Sequence, residues 1–271
     1  MPRLRVALFV EGSLGERRRD GGDWFEELWL KVIPGALGVR RAERVVPINK
    51  KHLVALDPAI QKLRSKTSGT SVGIDELIAA ELRDRPFDAA VVAWDLQPPW
   101  DPEATPCRWQ ETLWLYEALA SNSSLPPIWQ RWARDRITEL RARDVPSERA
   151  SVPVLQEGAV LAVCMDPMFE GLMRHEDGVR HTLGLRAKQV KNWPTGWNTA
   201  KNPKRLLQKA IVAARDVRPM PDLVRKIRGD METAAHEWGC TFLTPTNKVL
   251  LDHARSHPIA ARLRQLLLAG G

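Results

Sequence analysis

The sequence predicts an α/β fold with a mostly parallel central sheet flanked by helices, and three observations support this class. Residues 6–10, 87–94 and 159–165 are near-continuous apolar runs, as expected for strands buried on both faces. Segments with helical periodicity separate and follow these runs. An acidic residue follows each run, at the strand end that faces the ligand-binding crevice in open α/β sheets.

The first strand leads into a turn and then a helix. Glu11 follows the apolar run directly, and Gly12 lets the backbone turn sharply after it. A helix is expected over residues 23–33, with Asp23 as its cap.

The middle of the chain contains the second long run. Residues 44–48 predict a short strand, which Pro47 restricts to a sheet edge or a strand end. A helix is expected at 74–83, and the run that follows it ends at Asp95.

Two helices then separate the second and third long runs. Helical periodicity over 108–119 and 128–143 predicts a helical insertion that spans 108–150. After the third run, Asp166 is placed to cap a helix.

The C-terminal third is expected to be mainly helical. Residues 175–201 lack clear periodicity and predict an irregular segment. A helical part over 202–271 is expected to pack on the core, with helices at 203–215, 221–238 and 258–269 and a short strand at 241–243.

The composition is that of a folded protein with a basic balance. Of the 271 residues 44% are hydrophobic and 27% charged, which argues against wholesale disorder. The 41 Lys and Arg against 33 Asp and Glu give a net charge of +8, which favours a polyanionic partner such as nucleic acid. The alternative is an unspecialised basic protein, because charge alone does not identify a partner.

The cysteines and the hydropathy bear on location. Cys107, Cys164 and Cys240 are far apart and show no CxxC spacing, so neither a zinc site nor a disulfide framework is indicated. No apolar stretch approaches the roughly 20 residues of a membrane helix, and the N-terminus does not resemble a secretory leader. The sequence therefore predicts a cytoplasmic protein without a membrane association.

The acids at the strand ends suggest a metal site. If the strands are parallel neighbours, Glu11, Asp95 and the pair Asp166 and Glu170 converge on one edge of the sheet. Clustered carboxylates repel one another, and Mg²⁺ or Mn²⁺ stabilises such a cluster. Beside a basic surface, this predicts phosphodiester chemistry. The alternative is three unrelated loop acids.

Three short runs resemble a known domain. The runs ALFVEG at 7–12 and AVVAWD at 90–95 resemble the Toprim domain, in which hydrophobic strands end in Glu-Gly and in Asp-x-Asp. The run DPMFE at 166–170 is similar to an element of RloB-like proteins, which are related to Toprim nucleases of the OLD type in bacterial defence loci. The resemblance implies a single Toprim-like domain over 1–271.

The resemblance also implies roles for particular acids. Glu11, Asp95 and Glu170 would be catalytic, and Glu11, Glu16, Asp95, Asp101 and Glu170 would bind Mg²⁺ or Mn²⁺. The Asp-x-Asp motif is broken, because Leu96 and Gln97 follow Asp95 and the next acid is Asp101. The place given to Glu16 is also open to Glu26 or Glu27.

The implied function is a metal-dependent nuclease acting on DNA or RNA, as an effector of anti-phage defence. An ATPase partner follows from the resemblance, since the chain has no Walker motif, and a homo-oligomer is compatible with it. The alternative is a non-catalytic module that binds nucleic acid or an ATPase partner. Basic candidates for phosphate binding, each also explained by a solvated face, are residues 17–19, 50–52, 188, 191 and 225–228. No histidine is assigned a catalytic role, and His175 is the strongest candidate among them.

Overall fold

Four parallel strands form a sheet in the part of the chain that the structure describes. In the computed structural model they are β1 (Val6–Glu11), β2 (Arg44–Ile48), β3 (Ala89–Asp95) and β4 (Val160–Met165). Their order across the sheet is β2-β1-β3-β4, and every neighbouring pair is parallel. The predicted α/β class, with a parallel sheet flanked by helices, is confirmed.

The described residues fall into two compact units. The structure describes residues 4–11, 30, 42–58, 72–95, 109–142, 155–165, 174–186, 189–200, 203–227 and 238. The first unit consists of residues 1–14, 39–166 and 262–271, and the second of residues 15–38 and 167–261. The single domain, its insertion and the packing of the C-terminal part on the core stay predictions.

The two central strands account for the longest apolar runs. Residues 6–10 of β1 and 89–94 of β3 are buried. Because successive side chains of a strand point to opposite faces, this burial means that both faces of the central strands are covered. Leu8 is paired with Val45 on one side and with Val91 on the other.

The edge strand β2 contains the proline that the sequence placed there. Pro47 is paired with Val10 near the end of β2. Proline has no N–H to donate to a ladder, so an edge strand is one of the few positions in a sheet that tolerate it. The edge position predicted from Pro47 is confirmed.

Four helices are described in the first unit. They are α1 (Lys50–Val54), α2 (Ile74–Asp84), α3 (Trp109–Ser121) and α4 (Pro127–Arg141). The last three match predicted helices to within a few residues, whereas α1 was not predicted. Gly73 is the N-cap residue of α2, and its N–H donates to the Glu76 carboxylate over 2.9 Å.

Phe87 links the sheet to the helices near the start of β3. Its ring lies 6.1 Å from that of Phe9 and 5.6 Å from that of Trp129 in α4. The Arg44 guanidinium lies 5.5 Å from the Phe87 ring and donates to the carbonyl oxygen of Arg85, 3.0 Å away. These contacts fix the C-terminal end of α2 and the N-terminal end of α4 beside the strands.

Tyr116 of α3 bonds directly to the backbone of the edge strand β4. Its hydroxyl accepts a hydrogen bond from the Ala162 N–H over 3.1 Å, in a buried environment. Its ring packs against Trp132 of α4, with 5.7 Å between the centroids. Helices α3 and α4 are therefore joined to β4 by a hydrogen bond as well as by packing.

The second unit contains a helix that the sequence analysis missed. Its elements among the described residues are α5 (Glu176–Thr182), a short 3-10 helix (Trp197–Thr199), α6 (Pro203–Ala214) and α7 (Asp222–Lys226). The prediction that 175–201 is irregular is therefore wrong for α5. Side chains stabilise both ends of this helix: His175 Nδ1 accepts from the Gly178 N–H over 2.9 Å, and Arg180 pairs with Glu176.

Other predictions are met in part or lie outside the described residues. The helix predicted at 203–215 is α6, and the one predicted at 221–238 is described as α7, which ends at Lys226 because Ile227 is extended. Expectations for 16–33, 166–170, 241–243 and 258–269 fall mostly outside the described part. None of the helices in the described ranges is long and apolar enough to cross a membrane.

Replacing Tyr116 with Phe should destabilise the fold. The change leaves the buried Ala162 N–H without its acceptor, so the free energy of unfolding should fall by about 1 to 3 kcal/mol. Denaturant unfolding measures this. Thr138→Val is the control, since it removes an exposed helix hydroxyl whose loss should change little. An unchanged unfolding midpoint for Tyr116→Phe would contradict the assignment.

The buried carboxyl of Asp75 should make the stability of the fold depend on pH. It is 9% exposed, and burial raises the pKa of its carboxyl, with Glu76 adding to the rise and the hydrogen bond from Asn122 opposing it. The folded state therefore favours the protonated carboxyl of Asp75. Its contribution to the stability of the fold is complete below the pKa of the carboxyl in the unfolded chain, and it is lost as the pH rises through the pKa in the folded protein. Asp75→Asn should therefore gain stability relative to the wild type between acid and neutral pH.

The measurement is urea unfolding of the Asp75→Asn variant and the wild type at several pH values. The exposed Asp135→Asn on α4 is the matched control. A difference between Asp75→Asn and wild type that stays constant from about pH 3 to about pH 7 would show that the Asp75 carboxyl does not titrate differently on folding.

Candidate functional site

Glu11 is the last residue of β1, where the buried part of the strand ends. The five residues before it are buried, whereas Glu11 itself is half-buried. Its Cα is paired with that of Ile48, the last residue of β2. The acid that the sequence singled out therefore lies at the carboxyl edge of the sheet, next to the end of a second strand.

Asp95 is the last residue of β3, the strand on the other side of β1. Val10 is paired with Ala93, so Glu11 is level with Trp94 and Asp95 lies one row further along. With strands about 4.8 Å apart and a rise of about 3.3 Å per residue, the Cα atoms of Glu11 and Asp95 are roughly 6 Å apart. Backbone pairing thus places two of the predicted acids at the ends of neighbouring strands, on the same edge of the sheet.

The strand order places a switch point at this edge of the sheet. The chain runs from β1 outward to β2 and then returns past β1 to β3, so the strand order reverses between β1 and β3. In open α/β sheets, ligands bind in the crevice outside the carboxyl ends of the strands at such a switch point. Glu11 and Asp95 end the two strands that border it.

The remaining predicted acids lie outside the described residues. These are Glu16, Asp101 and Glu170, together with Asp166 and the alternatives Glu26 and Glu27. Among the residues that the structure does describe, no group of three or more His, Cys, Asp or Glu side chains could hold a metal ion. The full predicted set of five metal ligands is therefore neither assembled nor contradicted.

The end of β2 contributes a group that the sequence analysis did not recognise. Asn49 follows Ile48 directly and caps α1, its side-chain oxygen accepting from the Lys51 N–H over 3.0 Å. The His52 ring returns to this position, because its Nδ1 accepts from the Asn49 N–H over 3.2 Å. An amide, an exposed lysine and an imidazole thus lie at the strand end adjacent to Glu11.

The sequence contains a spacing that predicts the contact between Asn49 and His52. An Asn followed three residues later by a side chain with a hydrogen-bond acceptor is the pattern of a capping box. Here the third residue is His52 instead of the usual Glu or Gln. The sequence analysis had noted residues 50–52 only as a basic run.

The environment of His52 fixes its protonation. Burial lowers the pKa of the imidazole, so the neutral ring predominates near pH 7. Since Nδ1 accepts from the Asn49 N–H, the proton of the neutral ring is on Nε2. His52 therefore presents an Nε2–H donor, and α1 holds its ring at the carboxyl end of β2.

The other candidates from the sequence have structural roles or lie elsewhere. His175 caps α5, and Arg225 forms an ion pair with Asp222. Lys191 and Lys226 are exposed in the second unit, whereas residues 17–19, 188 and 228 are outside the described part.

None of the protein-family models, curated proteins or solved structures compared with this chain matches it. The resemblance to Toprim and RloB-like proteins therefore stays a prediction, and the functional interpretation depends on the geometry of the strand ends.

Replacing His52 with Gln should alter how stability depends on pH. The lowered pKa means that the imidazole's contribution is complete above the unfolded pKa and is lost as the pH falls through the folded pKa. Gln keeps the acceptor of the capping box but does not titrate. Between about pH 7 and about pH 5, wild type should therefore lose more stability than His52→Gln.

Thermal unfolding across this pH range measures the difference. His52→Ala separates capping from titration, because it removes both and should be less stable than His52→Gln at every pH. Parallel pH profiles for wild type and His52→Gln would contradict the assigned protonation state.

Proposed function

We propose that this protein is a Toprim-like, Mg²⁺- or Mn²⁺-dependent nuclease, with Glu11 and Asp95 at its catalytic centre. The observation that carries the proposal is their position at the ends of the two strands that border the switch point of the sheet. In its cellular role, the protein acts as an effector of bacterial anti-phage defence in the cytoplasm. That role and the nuclease class are drawn from the sequence resemblance.

The donor chemistry of this edge suits a hard divalent cation. Carboxylate oxygens are the ligands that Mg²⁺ and Mn²⁺ prefer, and Glu11 and Asp95 end neighbouring strands at the same edge of the sheet. When bound, such an ion polarises a phosphodiester and lowers the pKa of a coordinated water. Asp101, Glu16 and Glu170 stay predicted additional ligands.

The chain's own residues supply the other requirements of phosphodiester binding. Lys51 is exposed beside the strand ends and attracts the charged backbone of a polynucleotide. His52 adds a neutral Nε2–H donor that does not compete with a metal for the acids. Glu11 is the residue proposed to accept a proton from the attacking water or to hold the metal.

Glu11→Gln and Asp95→Asn should each abolish metal-dependent cleavage. Each substitution removes a carboxylate charge at the switch point while keeping the side-chain volume, so the cleavage rate should fall by about 100-fold or more. Cleavage of labelled single-stranded and duplex DNA and RNA is measured in Mg²⁺ and in Mn²⁺. Glu157→Gln, an exposed acid in the turn before β4, is the matched control and should retain activity.

Thermal unfolding of each variant checks that the fold is intact. A wild-type protein that cleaves none of these substrates in either metal, with or without a co-expressed ATPase, would refute the enzymatic proposal. Equal cleavage by wild type and Glu11→Gln would refute the role of this edge of the sheet.

A second candidate is a non-catalytic module that binds nucleic acid or an ATPase partner. The broken Asp-x-Asp at Asp95 favours it, because the chain then has fewer acids with which to hold a metal. Calorimetric titration separates the two functions. Binding of nucleic acid without binding of Mg²⁺ or Mn²⁺ favours the module, and metal binding that Glu11→Gln abolishes favours the nuclease.

A further inference from the structure

Helix α6 has an apolar side chain exposed on its outer side, opposite the side that is buried in the second unit. The buried side consists of Leu207, Ala210, Ile211 and Ala214. Val212 is on the outer side and is 54% exposed. The other large hydrophobic side chains that are exposed in the described part of the chain, Val72 and Ile128, belong to the first unit. Because single exposed hydrophobic residues are common, the neighbours of Val212 decide whether it belongs to an interface.

The outer side of α6 lines a groove of about 760 Å³. Leu206, Val212 and Ala213 give this wall an apolar surface. The same wall includes Lys209, which is one turn before Ala213 on the same side of the helix. The exposed valine is therefore part of a concave surface and not an isolated side chain.

The opposite wall of the groove is the segment 192–195. Trp193 in this wall stacks on Trp197, with 5.7 Å between the ring centroids. The Arg180 guanidinium lies 4.0 Å from the centroid of the Trp193 ring. Trp197 is buried, and its Nε1–H donates to the Pro194 carbonyl over 2.8 Å. Contacts within the second unit thus hold this wall beside α6.

The charged side chains described at the groove, Lys209 and Asp216, have opposite signs and lie symmetrically about its apolar part. Lys209 precedes Val212 by three residues, and Asp216 follows Ala213 by three. Both are exposed, and neither forms an ion pair with another described residue. These two charges cancel, which disfavours a polyanion and favours a partner that presents the same two charges in the reverse order.

A second copy of α6, running antiparallel to the first, presents the charges in that order. In a two-fold symmetric contact, if residue i of one copy faces residue j of the other, then j also faces i. With the axis between Val212 and Ala213, Lys209 of each copy faces the partner's Asp216. The small side chain of Ala213 lets the two helices approach to about 8–10 Å at the axis. A parallel pairing would instead place like charges against each other.

We propose that α6 and its groove form an antiparallel, two-fold symmetric interface between two copies of this chain. The α6 helix of each copy lies in the groove of the other, and two pairs of Lys209 with Asp216 flank the centre formed by Val212 and Ala213. A pair of helices of 12 residues is small for an interface, so the dimer should dissociate at roughly micromolar concentration. The inference goes beyond the proposed nuclease activity and does not depend on it.

The test measures the oligomeric state of the full-length chain by sedimentation velocity from about 1 to about 200 µM. Wild type should shift from monomer to dimer over this range. Lys209→Glu and Asp216→Lys each make both charged pairs repulsive, so each should raise the dissociation constant by about ten-fold or more. A wild type that stays monomeric would leave the groove to a different protein and overturn the proposal. A dimer that neither variant weakens would also overturn it.

Mixing the two variants tests the pairing itself. In a heterodimer of Lys209→Glu with Asp216→Lys, both charged pairs again join opposite signs, one of them in reversed order. The mixture should therefore recover dimers at concentrations where each variant alone is mainly monomeric, and no recovery would overturn the proposal. Lys226→Glu is the matched control, because Lys226 is an exposed lysine of the same unit that does not line the groove. It should leave the dissociation constant unchanged.

A crosslink at the symmetry axis checks the orientation of the two copies. Position 212 of each copy lies beside the axis, so mild oxidation of Val212→Cys with diamide should join two chains through a disulfide between these positions. Mass spectrometry of the linked peptides distinguishes this bond from links through Cys107, Cys164 or Cys240. Links confined to the native cysteines would overturn the proposed interface. Dimers linked at position 212 in a chain that cleaves no nucleic acid would retain the interface and remove only the nuclease.

Discussion

The parallel pairing of β1 with β3 is the constraint on which the rest of the first unit depends. Parallel neighbours cannot be joined by a tight turn, so helices must carry the chain back across the sheet. Those connections cover the strands, which is why residues 6–10 and 89–94 are apolar almost without interruption. The same pairing brings Glu11 and Asp95 to one edge.

Much of this arrangement is encoded locally. Each described strand was predicted to within about two residues, because a buried parallel strand needs an unbroken apolar run and an edge strand tolerates Pro47. The helix α5 was missed because it is only seven residues long, and its buried side chains, such as Val179, are too few to form a detectable hydrophobic period. The cap at His175 and the pair of Glu176 with Arg180 leave no hydrophobic signal in the sequence.

The candidate site was predictable in its acids but not in its surroundings. A strand ending in Glu11 or Asp95 is visible in the sequence, whereas the register that separates them by one row depends on pairing between distant segments. His52 joins this edge through a capping contact to Asn49.

The hydrogen bond from the Ala162 N–H to the Tyr116 hydroxyl limits how β4 can pair with another molecule. An edge strand whose N–H groups are unsatisfied can template the addition of a strand from another molecule. At Ala162 the chain's own phenol occupies that donor, and a second copy would have to displace a buried aromatic side chain to pair there. A second copy of the chain is therefore not expected to extend the sheet at Ala162 of β4.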